Sequence, residues 1–284
     1  MTKTTIEWAS DSWNPIRARH RITGKMGWHC EHVSPGCVNC YAEAMNAWRG
    51  TRLPFKPGHQ DDIDIFYDLT IAGQPLKWKQ PRTIFPCSMT DMFAGFVPDE
   101  VLDQMFNVMR HTPQHTYMVL TKRPLRMLTY VADRKHQESW PLSNVWLGIS
   151  AEDQTRYEER MQYLVQTPAA KHFISFEPML GPIELFDITN WRNAYEWWGR
   201  SITFDLAICG FESGRGRRPY NLVWAEQLLA QCRNAGIPFF MKQIDKKTEI
   251  PPHLMVREWP HEGTKPQKVS EGGCAARPEG TAAT

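Results

Sequence analysis

Two stretches, TYMVLTKRP at Thr116–Pro124 and VWLGISAE at Val145–Glu152, decide the fold. Each is a short, unbroken apolar run that stops abruptly at polar residues. The pattern recurs in TIFPC (Thr83–Cys87), HFISF (His172–Phe176), DLAIC (Asp205–Cys209) and IPFFM (Ile237–Met241). Successive runs end 27 to 33 positions apart, the length of one strand-plus-helix unit. Near-continuous apolar strands at that interval are what a parallel sheet covered on both faces requires.

Helical periodicity fills the intervals. Val101, Leu102, Met105, Phe106 and Met109 repeat at helix spacing after the start signal Pro98-Asp99. Leu125, Leu128 and Ala132 mark a second face, Tyr157, Met161, Leu164 and Val165 a third. Ala225, Leu228, Leu229 and Cys232 form the last, ended by Gly236, and Tyr41, Ala44, Met45 and Trp48 place a helix directly after Cys40. A strand at Thr5–Trp8 would complete a first unit. The chain is thus expected to be an α/β protein, a full or partial parallel barrel, with an open doubly wound sheet as the alternative. A single domain is expected over residues 1–245, with insertions near 50–80 and 187–200, the latter holding Trp191, Trp197 and Trp198. Residues 246–284 lose periodicity and read as a C-terminal extension, partly disordered.

Beyond each apolar run come groups that carry chemistry. Ser88 and Asp91 follow the first, Lys122 and Arg123 the second, and Glu152 the third. Glu177, the turn Gly210–Gly214 with Glu212 and Ser213, and Lys242 follow the rest. In a parallel α/β sheet these points share the carboxyl-end face, where such folds bind ligands. Three carboxylates (Glu152, Glu177, Glu212) and two lysines (Lys122, Lys242) are expected around one polar-ligand site. A helix cap is the plain alternative for Glu152.

Three cysteines, Cys30, Cys37 and Cys40, stand as C-x6-C-x2-C on a loop turned by Ser34-Pro35-Gly36. Three local thiolates leave a fourth metal position open, the layout of a reactive centre, whereas a structural site closes all four. An iron–sulfur cluster is the leading reading; zinc is the alternative, because His29 and His32 flank Cys30. Seven cysteines in 284 residues is neither an even count nor a disulfide-scaffold density. Cys87, Cys209 and Cys232 read as core, and Cys274 as part of a polar tail.

The net charge of +2 does not announce a general nucleic-acid binder. Its distribution is uneven: residues 1–60 carry eight Lys or Arg against four acids, including Arg17, Arg19, Arg21 and Lys25 beside the cysteine loop. Arg215, Arg217 and Arg218 make a second cluster. An anionic substrate fits both; solvated loop charge is the alternative. No stretch is apolar enough for a membrane helix and no signal-peptide pattern opens the chain, so a cytoplasmic protein with reduced thiols is expected.

The chain resembles the phage-associated three-Cys-motif proteins, a family of uncharacterised function. The likeness runs through Ile6–Trp8, Trp13–Pro15, Ser34–Glu43, Ser88–Phe93, Leu120–Pro124, Trp146–Glu152, Ser175–Pro178, Gly210–Gly214 and Phe240–Gln243. That family is similar to radical S-adenosylmethionine enzymes, which implies a barrel-like fold and a [4Fe–4S] cluster on Cys30, Cys37 and Cys40. The open iron would chelate S-adenosylmethionine, whose one-electron cleavage gives a hydrogen-abstracting adenosyl radical. On this reading Glu177, Glu212 and Lys242 are candidate catalytic residues, and Ser88, Asp91, Lys122, Glu152, Ser213 and Gly214 candidate cofactor contacts. Arg17, Arg19, Arg21, Arg123 and Arg215 are candidates for a nucleotide, nucleic-acid or other anionic substrate. The family also implies a three-Cys-motif partner protein. Two departures stand out: the first cysteine gap is six residues rather than three, and Asn39 replaces the aromatic before the last cysteine. The competing functions are a zinc-stabilised nucleic-acid-binding protein and a barrel hydrolase or lyase with a structural metal.

Overall fold

The computed structural model describes residues 4–134, 140–185, 204–214 and 216–260. The expected insertion at 187–200, Arg215, Cys274 and residues 261–284 lie outside the described residues. Seven strands form one all-parallel sheet: β1 (Asp11–Trp13), β5 (Thr83–Pro86), β6 (Thr116–Thr121), β7 (Val145–Ser150), β8 (Lys171–Phe176), β9 (Leu206–Gly210) and β10 (Phe239–Gln243). They lie side by side in chain order. A doubly wound sheet reverses its strand order at a switch point, and this one does not. The sheet curls as a half-barrel, and among the described residues β1 and β10 do not pair with each other.

The connecting helices are where the periodicity put them. α1 spans Tyr41–Arg49, and α3 Asp99–Arg110; α4 spans Pro124–Arg134, α5 Gln154–Leu164 and α6 Leu222–Ala235. Asp153 and Asn221 cap α5 and α6 through their side chains, at Arg156 N (2.8 Å) and Val223 N (3.1 Å). Gly236, at φ 66°, closes α6 in the left-handed conformation that glycine adopts without strain. A second, antiparallel sheet joins β3 (Met26–Gly27), β2 (Ile16–His20) and β4 (Ile63–Tyr67); the short helix α2 (Leu69–Ala72) follows β4. The region read as an excursion thus returns to β2.

Strand parity separates two layers. Ile84, Tyr117, Val119, Leu147, Ile174, Ala207 and Met241 join the larger core under the helices. Phe85, Met118, Phe173, Leu206, Ile208 and Phe240 form a second cluster on the concave face, and Trp8 joins them. Here the expected strand at Thr5–Trp8 is corrected. Those residues form a turn, and the first strand is Asp11–Trp13. Trp8 instead lies on Phe85 and Phe173, with ring centroids 4.7 and 6.4 Å apart. Ile6 and Trp8 alternate like a strand, but an unclosed sheet leaves its inner face without opposing strands, and covering it captured them. β1 gave little signal because its buried residues are Asp11, paired with Arg82 at 2.6 Å, and Trp13, which donates to Ile71 O at 2.9 Å.

At the other edge, residues 246–260 run beside β10. Met241 N donates to Val256 O at 2.7 Å and Glu258 N to Phe239 O at 2.9 Å, Leu254 is buried, and Trp259 meets Phe240 and Trp146. An exposed strand edge is thereby covered.

Gly148 pairs with Phe173 in register, and a Cβ there would stand 2.5 Å from the Phe173 ring. Gly148→Ala is expected to cost about 1–3 kcal/mol by overpacking, read as a lower urea midpoint at unchanged slope. Phe173→Leu in the same chain should recover part of that loss.

Candidate functional site

At the carboxyl ends of the strands lies an open cavity of about 1100 Å³, solvent space at its mouth included. Its walls combine the cysteine loop with residues at or just beyond the carboxyl ends of six strands. Cys30, Cys37, Cys40, Ser88, Asp91, Lys122, Arg123, Glu177, Glu212, Ser213, Gly214 and Lys242 all line it. Arg17, Arg19, Arg21 and Glu152 do not.

Several of these side chains are already committed to the protein. Asp91 accepts from Thr121 Oγ1 (2.7 Å), Phe93 N (2.9 Å) and Lys122 N (2.9 Å), and its carboxylate meets Arg123 at 3.1 Å. It therefore fixes the end of β6 and aims two cations inward. Lys122 Nζ reaches Ser150 Oγ at 3.3 Å, and Arg123 donates to Glu31 O at 3.1 Å, beside Cys30. Ser88 is tied to Asn14, while Tyr41 Oη donates to Ser88 O and Thr90 Oγ1 to His29 O, both at 2.5 Å. The loop after β5 and the cysteine loop are thus held edge to edge.

Glu152 and Glu212 pin the cysteine loop from the other side. Glu152, fully buried, accepts from Gly36 N at 3.1 Å and pairs with Arg160 at 2.8 Å. A Cβ at Gly36 would sit 3.0 Å from that carboxylate, so glycine allows the approach. Asp153, not Glu152, caps α5. Glu212 accepts from Asn39 Nδ2 (2.9 Å) and Arg218 N (2.7 Å) and pairs with the Arg218 guanidinium, which donates onward to Pro35 O at 3.0 Å.

On the remaining wall, Lys242 Nζ meets Glu177 Oε1 at 2.5 Å. Gln243 Nε2 donates to Phe211 O at 3.1 Å, which fixes the amide and leaves Oε1 without a partner. Ser175 Oγ and Trp8 Nε1 are likewise buried and unpartnered among the described residues, and all three side chains line the cavity. Unpaired buried polar atoms cost about 1–3 kcal/mol each. They leave this wall with hydrogen-bonding capacity that a polar ligand or water can satisfy. The small side chains of Ser150 and Ser175 keep it roomy.

The three thiols are free. Burial pushes the Cys30 thiol up to about 12, reinforced by Asp91 and Cys40 and opposed by Arg123. Burial also raises Cys40, which Lys122 opposes. Among the described residues, no three His, Cys, Asp or Glu side chains gather tightly enough to hold a single metal ion. The flanking histidines turn elsewhere: His32 bonds Glu43 at 2.7 Å, and His29 packs against Phe55 and Phe96.

A family model described as a protein of unknown function, DUF5131, matches residues 3–265. The chain belongs to the DUF5131 family. Neither a curated protein nor a solved structure matches it. The DUF5131 match spans every strand of the sheet and the whole cysteine loop.

Sequence reasoning on this DUF5131 protein missed Asn39, Arg160, Trp8 and Ser175 as site residues, and placed Gln243 at the rim beside Lys242 without a role. Ser175 had a readable signal: it shares strand parity with Phe173 and Glu177, so a hydroxyl was directed into the concave face. Arg160 had none, being one charge on an amphipathic helix. Arg17, Arg19 and Arg21 sit on or just after β2 instead of at the cavity. Arg19 and Arg21 pair with Asp64, and Arg17 covers the Trp28 ring at 4.7 Å.

Burial opposes ionisation of Glu152, but Arg160 and Lys122, with the Gly36 amide, outweigh it and hold the carboxyl at about 2. With the folded value depressed below the ordinary 4.5, its stabilising contribution is complete above about pH 4.5 and lost as pH falls through about 2. Glu152→Gln is expected to flatten the acid limb of the stability–pH curve in that window. At neutral pH it should cost about 3 kcal/mol, because Arg160 is left buried without its partner; urea unfolding across pH measures both.

Proposed function

We propose that this protein is an iron–sulfur enzyme of the radical S-adenosylmethionine type, from a phage or mobile element, acting on a nucleotide, nucleic acid or other anionic substrate. One observation carries the reading: three free cysteines on one loop line the same cavity as the polar groups at the ends of a singly wound, curled parallel sheet. Cys30, Cys37 and Cys40 would hold the [4Fe–4S] cluster. When bound, that cluster supplies an electron to the sulfonium of S-adenosylmethionine. Each cysteine of such a cluster binds a different iron, so the sulfurs need not close on a common point as zinc ligands must.

The chain's own residues have separable tasks in this scheme. Lys122 and Arg123 stand beside Cys40 and Cys30 and offset the negative charge that thiolates bring. Glu152, Glu212 and Arg218 hold the loop against the strand ends, a positioning role. Lys242 and Glu177, with the free atoms of Ser175, Gln243 and Trp8, offer polar contacts on the wall across the cavity. A cytoplasmic setting keeps the thiols reduced, and a three-Cys-motif partner protein belongs to the same proposal.

Anaerobically reconstituted protein should be brown and contain about four irons per chain. S-adenosylmethionine should change the electron paramagnetic resonance of the reduced cluster. Cys37→Ala should abolish colour and iron together. Stoichiometric zinc without iron after the same preparation would overturn the reading.

A further inference from the structure

Seven large apolar side chains between residues 22 and 48 are exposed, of thirteen among the described residues. They are therefore concentrated in one segment of the chain. Tyr41, Met45 and Trp48 recur at helical spacing along α1 and share one face. That face begins at the cavity, which Tyr41 lines, and runs about 10 Å outward to Trp48, at 1.5 Å per residue. Trp48 is 69% exposed, and the Arg49 guanidinium lies over its ring at 3.9 Å. Gly27 lies against Gly50 and Thr51, where a Cβ would stand 2.3 Å from Thr51 N. This contact brings the β2–β3 hairpin, with Lys25 and the Arg17–Trp28 pair, beside the end of α1.

Charge decides what this surface fits. Lys25, Arg49, Arg52 and Lys56 are exposed and make no ion pair among the described residues. The carboxylates nearby are engaged. Glu43 accepts from Phe55 N and bonds His32, and Glu31 accepts from Gln60 at 2.6 Å. A second copy of the chain would oppose these cations to their own kind. Unpaired cations interleaved with accessible aromatic rings are the requirements of a single strand, whose bases stack while its phosphates are neutralised.

We infer that the face of α1 and the adjoining hairpin bind single-stranded nucleic acid and lead it to the cavity mouth. Bases stack on the open face of Trp48 and beside Tyr41, and Arg49, Arg52 and Lys25 hold phosphates. The inference gives the proposed enzyme its substrate class and rests on that reading for its purpose, but strand binding itself requires no iron.

Fluorescence anisotropy with labelled single-stranded DNA, single-stranded RNA and duplex DNA, over a range of salt, tests it on the full chain before and after anaerobic reconstitution. The wild type should bind one or both single strands more tightly than duplex in both preparations. Trp48→Ala should weaken binding roughly tenfold through lost stacking. Arg49→Ala with Arg52→Ala should reduce the salt slope by about 1.4, at about 0.7 per phosphate contact on a single strand. Circular dichroism verifies that these surface variants remain folded. Absence of binding by the wild type, preference for duplex, or variants that bind as the wild type does would each overturn the inference. Binding that persists in a protein unable to take up iron would remove the enzyme reading and leave this one standing.

Discussion

A parallel sheet that curls without closing must still keep water off its inner face, and much of this molecule answers that demand. In a closed barrel, strands on the far side fill the interior. Here the filling comes from outside the sheet. Trp8 arrives from the N-terminal turn and Trp259 from the segment beside β10, meeting Phe85, Phe173, Phe240 and Trp146 from the strands. These aromatics occupy the inner face short of the carboxyl ends. Above them, Ser150 and Ser175 are too small to fill the space, and the cavity is what remains.

Much of this architecture was legible because the repeating strands and helices obey simple periods. Five apolar runs after the cysteine loop became β6 to β10, and a sixth became β5. What failed was also instructive. Thr5–Trp8 has the alternation of a strand but serves as a plug, since periodicity reports which side chains seek burial and not what buries them. Asp11–Trp13 is a strand without an apolar run, stabilised by an ion pair and an indole hydrogen bond. Residues 16–67 supply a small sheet whose pairing depends on contacts across some 45 positions, beyond the reach of local pattern.

The site was legible in place but not in role. Rim position followed from strand ends alone, and Lys122, Glu177, Glu212 and Lys242 are at the cavity as the topology requires. Which carboxylates face a ligand and which face the protein depends on partners distant in sequence. Glu152 and Glu212 turn toward the cysteine loop because Arg160 and Arg218 compensate their burial. Glu177 remains beside Lys242, adjacent to the unpartnered atoms. Carboxylates of similar sequence appearance thus divide into two that pin the cysteine loop and one that pairs with a lysine inside the cavity.

The cysteine loop owes its shape to residues made long after it. Glu31 is held by Arg123, Gly36 by Glu152, Asn39 by Glu212 and Pro35 by Arg218, across sequence separations of 92, 116, 173 and 183 positions. A ribosome delivers Cys30, Cys37 and Cys40 early, yet the clamps that set their spacing are complete only once β9 and Arg218 have emerged and folded. Until then the three cysteines have no fixed spacing relative to one another. The final shape of the cysteine loop is therefore set only after synthesis has passed Arg218, by completion of the sheet.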